Sequence, residues 1–203
     1  MNLMRGLVRF FPIAVLLGLL TGCGINNIPT FDEETTAKWS QVVNQYKRRA
    51  DLIPNLVKTV QGYASHEKDV LTQVTEARAK VSQMQLPPDV LSNPDAFKSF
   101  EQNQSQLTSA LSRLMLVVER YPDLKASQNF LALQSQLEGT ENRISVARRD
   151  YIEAVKVYNT ELRTIPGRWW RDFLYPEAQP KQNFSVAEDE MKQIEKAPEV
   201  QFN

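Results

Sequence analysis

The feature that most constrains the fold is a run of residues spaced alternately three and four positions apart. Its members are Phe130, Leu133, Leu137, Thr140, Ile144, Ala147, Tyr151, Ala154 and Tyr158. This spacing places every member on one stripe of an α-helix, here called a seam, and is typical of a helix that packs lengthwise on other helices. Gly139 interrupts the stretch at a cost of about 1 kcal/mol relative to alanine, without changing the phase. The pattern predicts a long helix inside a helical bundle.

A second seam runs earlier in the chain, from Trp39 to Val81, and keeps its phase across Pro54. A proline inside a helix removes one backbone hydrogen bond and kinks the helix. The unbroken phase favours one kinked helix over a hairpin at the proline. Two charged residues, Arg49 and Glu67, occupy seam positions, where a charge is costly unless it is paired.

The third seam spans residues 97–121 and includes one polar member, Gln104. It follows Asn93-Pro94, a pair typical of a helix cap and the first helical residue, and Pro122 ends it. Together the seams predict an all-α fold: a long-helix antiparallel bundle of three long helices, with a kinked first helix and a short C-terminal helix.

Helix lengths predict how these three helices align. At 1.5 Å per residue the first is about 75 Å long and the second about 42 Å. The turn at residues 121–125 should then lie beside residues 51–56. Trp39 and Tyr46, in the lower half of the first helix, should lack a partner unless the C-terminal tail or a second copy of the protein covers them.

The N-terminus is typical of an export signal. Arg5 and Arg9 precede an apolar run at residues 10–20, which is shorter than the roughly 20 residues that cross a bilayer. Leu20-Thr21-Gly22-Cys23 resembles a bacterial lipobox, in which the cysteine is lipidated, and Cys23 is the sole cysteine. An uncleaved signal anchor with a chance cysteine is the alternative.

These observations divide the chain into four segments. We expect a lipoprotein-type signal peptide at 1–22, a lipid-anchored tether at 23–31 and the helical bundle at 32–166. The remainder, 167–203, is an aromatic segment followed by a short helix at about 186–196, which the capping box of Ser185 and Glu188 introduces.

The aromatic segment allows two interpretations. Trp169, Trp170, Phe173, Leu174 and Tyr175 could close one end of the bundle, or they could contact the membrane interface, where tryptophan and tyrosine are common. With three long helices, the third should end far from the anchored end. That direction favours the plug.

Several stretches resemble the LemA family. They are KRRADLIPNLV at 47–57, GYASHE at 62–67, ERYPDLK at 119–125, LQSQLEGTENRI at 133–144, ARRDY at 147–151 and VYN at 157–159. The resemblance covers about residues 35–166 and implies a long-helix antiparallel bundle in the cell envelope. It implies no biochemical activity, because none is established for the family. The lipobox departs from the family's more usual N-terminal transmembrane helix, and the tail after Pro166 follows no familiar pattern.

The sequence favours no catalytic or metal site. His66 is the only histidine, whereas a two-metal helical bundle would need two Glu-x-x-His pairs. One histidine and no free cysteine do not supply the ligands of a zinc site, and no Gly-rich turn exposes a serine nucleophile. We therefore expect no enzyme activity, no metal and no cofactor. Equal numbers of basic and acidic residues also argue against nucleic-acid binding.

Polar residues near the seams form the candidate site. They are Arg49, Asp51, Glu67, Glu119, Glu141, Asn142, Arg143 and Arg148. The favoured interpretation is an internal layer of ion pairs and hydrogen bonds that fixes helix register. In the alternative, part of the set lies in an open groove and docks a partner.

The expected function is that of a non-enzymatic scaffold or adaptor, anchored to the membrane through lipidated Cys23 and holding an unidentified envelope protein or a second copy of itself. It would face away from the cytoplasm, on the periplasmic side of the outer membrane if the source is Gram-negative. One alternative is a hydrolase or accessory subunit with a site near His66 and Arg148, and another is a structural spacer.

Overall fold

The computed structural model describes residues 24–184, and within that range the chain forms six helices and no strand. Four are long: α1 (Asn27–Tyr63), α2 (Lys68–Gln83), α3 (Pro94–Val118) and α5 (Gln128–Glu161). Two are short: α4 (Pro122–Lys125) and α6 (Gly167–Leu174). The predicted all-α bundle is confirmed. The signal peptide, Cys23 and the helix predicted at 186–196 lie outside the described residues.

The central seam is the buried face of α5, as predicted. Eight of its nine members are buried, and Leu133 is partly buried. The polar member, Thr140, donates its hydroxyl hydrogen to the backbone oxygen of Gln136 at 2.8 Å. A buried hydroxyl is thereby satisfied within its own helix.

The prediction of one continuous first helix is wrong. α1 does continue through Pro54, as expected, but it ends at Tyr63, and the chain reverses direction before α2 begins at Lys68. The turn pivots on Ala64, which is 1% exposed and whose amide donates to the carbonyl of Val60 at 2.8 Å. The bundle therefore has four long helices instead of three. α1 also begins at Asn27, inside the stretch predicted to be a tether.

Contacts between side chains give the direction of each helix. α5 runs antiparallel to α1, because Asn27 pairs with Glu161 at one end and Arg49 with Glu141 near the middle. α2 runs antiparallel to α3, because Arg113 donates to Gln73 at 3.0 Å and Asn103, ten residues earlier on α3, contacts Met84 just after the end of α2. α1 and α3 are parallel, with Trp39 near Phe97 and Phe100, and Arg49 near Gln104.

This topology overturns the predicted alignment of the second turn. The turn after α3 lies beside the α1–α2 turn, where the Tyr121 hydroxyl donates to Glu67 at 3.1 Å, and not beside residues 51–56. It also gives the lower half of α1 its partners. Trp39 packs on Phe100 with ring centroids 4.9 Å apart and on Tyr151 at 5.4 Å.

The tail after α6 folds back along the bundle as a strap, residues 178–184. Asn159 binds the backbone of Lys181 twice, through its amide nitrogen and its carbonyl oxygen, each at 2.9 Å. The Tyr151 hydroxyl donates to the Gln182 carbonyl at 2.7 Å. Phe184 then completes the aromatic cluster, 5.1 Å from Phe97 between ring centroids. The expected cover over Trp39 thus comes from α3, α5 and this strap together.

The helix cap predicted at Asn93 is confirmed. Its side-chain oxygen accepts from the amide of Ala96 at 3.1 Å, and Pro94 occupies the first turn of α3. Proline suits this position because the first-turn amides have no partner inside the helix.

Candidate functional site

Arg49 is the centre of the candidate site. It lies on α1 and is 1% exposed. Its Nη1 donates to Thr108 Oγ1 and to Glu141 Oε1, each at 3.0 Å. Its Nη2 donates to Gln104 Oε1 at 2.7 Å and to the Gln104 carbonyl at 3.3 Å. We call Arg49, Gln104, Thr108 and Glu141 the polar layer.

The polar layer separates two apolar clusters. Below it lie Tyr46, Phe100 and Ile144. Above it lie Ile53, Leu107 and Leu137. Sliding any of these helices by one turn would place the guanidinium against apolar side chains, where an unpaired charge is strongly unfavourable. The layer therefore fixes the register of α1, α3 and α5.

Arg148 lies next to the polar layer and links it to the strap. Its guanidinium carbon is 4.3 Å from the ring centroid of Phe184 and its charge acts on the Tyr46 hydroxyl. The guanidinium carbon of Arg49 also lies over the Tyr46 ring, 5.0 Å from its centroid. Burial raises the pKa of Tyr46 above its ordinary value, although both arginines oppose the rise. The hydroxyl therefore stays protonated at neutral pH.

Two of the predicted site residues belong to the opposite end of the bundle. Glu67 accepts from Arg120 Nη2 at 2.9 Å and from the Tyr121 hydroxyl at 3.1 Å. Glu119 forms an ion pair with Lys125, and both side chains are exposed. Exposed pairs of this kind contribute little to stability. The structure does not bring these acids to the polar layer.

Asn142 and Arg143 are exposed and line a groove between α1 and α5. We call it the α1–α5 groove, and its volume is about 360 Å³. Its lining residues are Lys38, Gln41, Gln45, Asn142, Arg143, Val146, Ala147 and Asp150. The side-chain oxygen of Gln45 is buried and has no hydrogen-bond partner within residues 24–184. Asp51 is also exposed but does not line this groove.

The predicted residues thus divide into a structural set and an exposed set. Arg49 and Glu141 form the layer, Arg148 adjoins it, and Asn142 and Arg143 open onto the groove. Sequence reasoning missed the roles of Gln104 and Thr108. Gln104 carried a usable signal, because it was the polar member of an otherwise apolar and aromatic seam. Phe184 carried no signal, because only the path of the strap brings it to Arg148.

The structure does not bring together His66 and Arg148, the two residues near which the hydrolase alternative placed its site. His66 is exposed in the α1–α2 turn, whereas Arg148 is level with Tyr46, about 25 Å lower along α1 at 1.5 Å per residue. Neither His66 nor Arg148 lines the α1–α5 groove. Over residues 24–184, no three His, Cys, Asp or Glu side chains are grouped so that they could hold a metal ion. Across the same residues, the helices are too short or too polar for one of them to span a bilayer.

Comparison with known proteins finds one family and several relatives. The model of the LemA family matches residues 38–202. Magnetosome protein MamQ 2 of Paramagnetospirillum magneticum is 27% identical over 157 residues, covering 70% of this chain and 58% of the relative. Protein LemA of Metamycoplasma hominis is 28% identical over 120 residues, covering 59% of this chain and 50% of the relative. The chain therefore spans little more than half the length of the relatives it matches.

Proposed function

The chain belongs to the LemA family, and from that premise we propose that it is a lipid-anchored, non-enzymatic scaffold of the bacterial cell envelope. In this proposal the bundle holds a partner protein on the α1–α5 groove. The observation that carries the proposal is the open α1–α5 groove itself, in which exposed Asn142, Arg143 and Val146 lie side by side on α5.

The chemistry of the groove suggests a partner helix with one acidic residue. Val146 and Ala147 supply an apolar floor, and Val146 is 48% exposed. Lys38 and Arg143 supply positive charge, and arginine pairs with carboxylates through two parallel hydrogen bonds. The one acid of the groove, Asp150, already pairs with Arg149 at 3.1 Å.

The polar layer supports this role by holding both walls of the groove. Glu141 binds Arg49 across the bundle, and Asn142 and Arg143 follow it directly on α5. A docking surface built on fixed helices loses less conformational freedom on binding than one built on loops. The internal layer and the docking groove, weighed as alternatives from the sequence, thus act together in this proposal.

Lipidation of Cys23 would place the bundle at a membrane, because α1 begins four residues later, at Asn27. More than one acyl chain is needed for stable attachment, as a lipoprotein cysteine provides. We expect labelled palmitate to be incorporated into the full chain and to be lost on Cys23→Ala. Incorporation that persists in the variant would contradict the anchor.

Site-specific crosslinking in intact cells tests the groove. A photo-crosslinking amino acid is placed at Val146, and the matched control is Leu116, which is 71% exposed on α3 and outside the groove. We expect a discrete crosslinked protein at Val146 and none at Leu116. Arg143→Glu should abolish the product while leaving the unfolding temperature unchanged, because Arg143 is exposed.

Other outcomes of this experiment are informative. Identical products at both positions would contradict a specific groove, as would the absence of any product at Val146. A product composed of two copies of this chain would identify the partner as the protein itself. Arg148→Met provides a further contrast, because Arg148 does not line the groove. It should lower stability through Phe184 and leave crosslinking at Val146 intact.

A further inference from the structure

The outer face of α6 is an apolar surface that neither the polar layer nor the α1–α5 groove uses. Four large side chains are exposed within ten residues: Ile165 (65%), Trp169 (52%), Phe173 (80%) and Leu174 (49%). The inner side of the same helix packs Trp170 against the bundle. A contiguous exposed apolar patch typically marks an interaction site, whereas single exposed apolar residues scattered over a surface do not.

This face lies at the end of the bundle where the chain arrives from residues 1–23. Trp170 packs in the same cluster as Ile28, at the start of α1. Glu161, at the end of α5, accepts through Oε1 from the side-chain nitrogen Nδ2 of Asn27 at 3.1 Å. A Cβ atom on Gly24 would lie 3.7 Å from that same carboxylate. The residue that follows Cys23 is therefore a direct neighbour of the segment leading into α6.

Three arginines and two acids lie along residues 161–174, and one of the acids, Glu161, is already bound to Asn27. The other acid, Asp172, pairs with Arg171 at 2.8 Å. Arg163 and Arg168 are exposed. Basic side chains beside exposed aromatic rings suit the headgroup region of an anionic bilayer.

We infer that the outer face of α6 rests in the headgroup region of an anionic lipid bilayer, with Trp169 and Phe173 directed toward the acyl chains. A second copy of the protein is the less favourable occupant, because a two-fold contact would bring the exposed arginines of both copies together. The inference rests on the proposed function only in requiring the chain to be at a membrane.

Quenching by brominated lipid tests the inference on the full-length protein. Vesicles of phosphatidylcholine and phosphatidylglycerol are prepared with and without brominated acyl chains. The emission of Trp169 is taken as the difference between wild type and Trp169→Phe. We expect brominated lipid to quench this emission, and to quench it less in vesicles without phosphatidylglycerol. Trp39, isolated in the same way through Trp39→Phe, should be unaffected because it is buried in the core.

Matched substitutions separate contact by α6 from attachment elsewhere. Phe173→Ser should reduce the quenching of Trp169 at least about twofold, because it removes one of the inserted apolar side chains. Leu116→Ser, on an exposed side chain of α3, should leave the quenching unchanged. Neither substitution should alter the unfolding temperature.

Vesicle flotation distinguishes the failure of this inference from the failure of the anchor. Protein that floats with vesicles while Trp169 stays unquenched would overturn the α6 contact and leave the anchor standing. Protein that does not float would overturn both. A blue shift of Trp169 that grows with protein concentration in the absence of lipid would assign the face to a second copy and overturn the inference.

Discussion

Arg49 shows how the bundle accommodates a cation where its neighbours are apolar. The guanidinium is removed from water, and three side chains and one backbone carbonyl accept hydrogen bonds from its two terminal nitrogens, while its Nε has no partner among residues 24–184. Its partner Glu141 keeps 43% of its side chain exposed, so the acid is only partly desolvated. Removing one member of such a set is costlier than replacing the set, because the remaining members keep their desolvation cost and lose their partner.

We predict that Arg49→Met lowers the free energy of unfolding by about 3 kcal/mol. The loss arises because Gln104, itself 5% exposed, is left without a partner for its side-chain oxygen. Adding Gln104→Leu should restore part of the loss, because it removes the orphaned amide. Urea denaturation of the wild type, both single variants and the double variant measures the coupling.

Two further substitutions serve as controls for Arg49. Arg49→Lys should be nearly as destabilising as Arg49→Met, because an ammonium cannot reproduce the forked pairing. Glu141→Gln should cost no more than about 1 kcal/mol, as expected for a half-exposed partner. Equal stability of wild type and Arg49→Met would show that the layer does not hold the helices together.

Buried tyrosines give the stability a dependence on alkaline pH. Burial raises the pKa of Tyr151 well above its ordinary value of 10.0, with a further rise from the charge of Glu101. The protonated form is the one the fold prefers, so its stabilisation is complete below pH 10 and is lost as the pH rises toward the folded-state pKa. Tyr158 behaves in the same way, from burial first and Asp32 second.

We predict that the free energy of unfolding falls above pH 10 by about 1.4 kcal/mol per pH unit for each such tyrosine. Tyr151→Phe should reduce the slope of the free energy of unfolding against pH by the contribution of one tyrosine, about 1.4 kcal/mol per pH unit. It should also cost about 1 kcal/mol at neutral pH through loss of the hydrogen bond to Gln182. Denaturation curves at several alkaline pH values test this, and an unchanged slope in Tyr151→Phe would contradict it.

The sequence predicted buried polar residues better than exposed ones. Arg49 and Gln104 interrupt seams and point inward, whereas Glu67, also on a predicted seam, lies in the α1–α2 turn and is only partly buried. Asn142 and Arg143 lie beside a seam, and their exposure depends on which face of α5 has no neighbouring helix. Which face of α5 stays uncovered depends on the path of the whole chain, and the spacing of apolar residues in the sequence does not reveal that path.

At the scale of elements, the α1–α2 turn explains the main error of the sequence prediction. The turn occupies four residues, 64–67, which is close to the 3.6 residues of one helical turn. The seam therefore resumes almost in phase, and Val74 and Ala77 are buried as the continuous helix predicted. Exposure of Tyr63 is the sign that the helix has ended. Periodicity alone cannot distinguish such a reversal from continuation.

We predict that Ala64→Leu destabilises the protein by about 1–3 kcal/mol, because a larger side chain would overpack the pivot of the turn. His66→Ala, in the same turn but exposed, should change stability by less than about 0.5 kcal/mol. Thermal unfolding of both variants makes the comparison. Equal effects would show that the turn does not pivot on Ala64.

At the scale of the molecule, the number of long helices decides which end of the bundle each segment reaches. Three antiparallel helices would carry the chain to the end opposite its start. Four return it, and α5 ends beside Asn27. The aromatic segment therefore lies at the same end of the bundle as the start of α1, and the prediction that helix direction keeps it far from the anchored end is wrong. The segment is split: Trp170 and Tyr175 pack on the bundle end, while Trp169 and Phe173 remain exposed.

A crosslink tests this return directly. In a Cys23→Ser background, which leaves no native thiol, we predict that Asn27→Cys combined with Glu161→Cys is joined by a short bismaleimide. The two side chains are in hydrogen-bond contact in the native protein, at 3.1 Å. Asn27→Cys combined with Tyr63→Cys is the control, because α1 separates those positions by about 54 Å at 1.5 Å per residue. The joined product migrates faster on a denaturing gel. A three-helix bundle predicts that the first pair is not joined. If both thiols are labelled but no crosslink forms, the four-helix arrangement is wrong and α6 lies far from the start of α1.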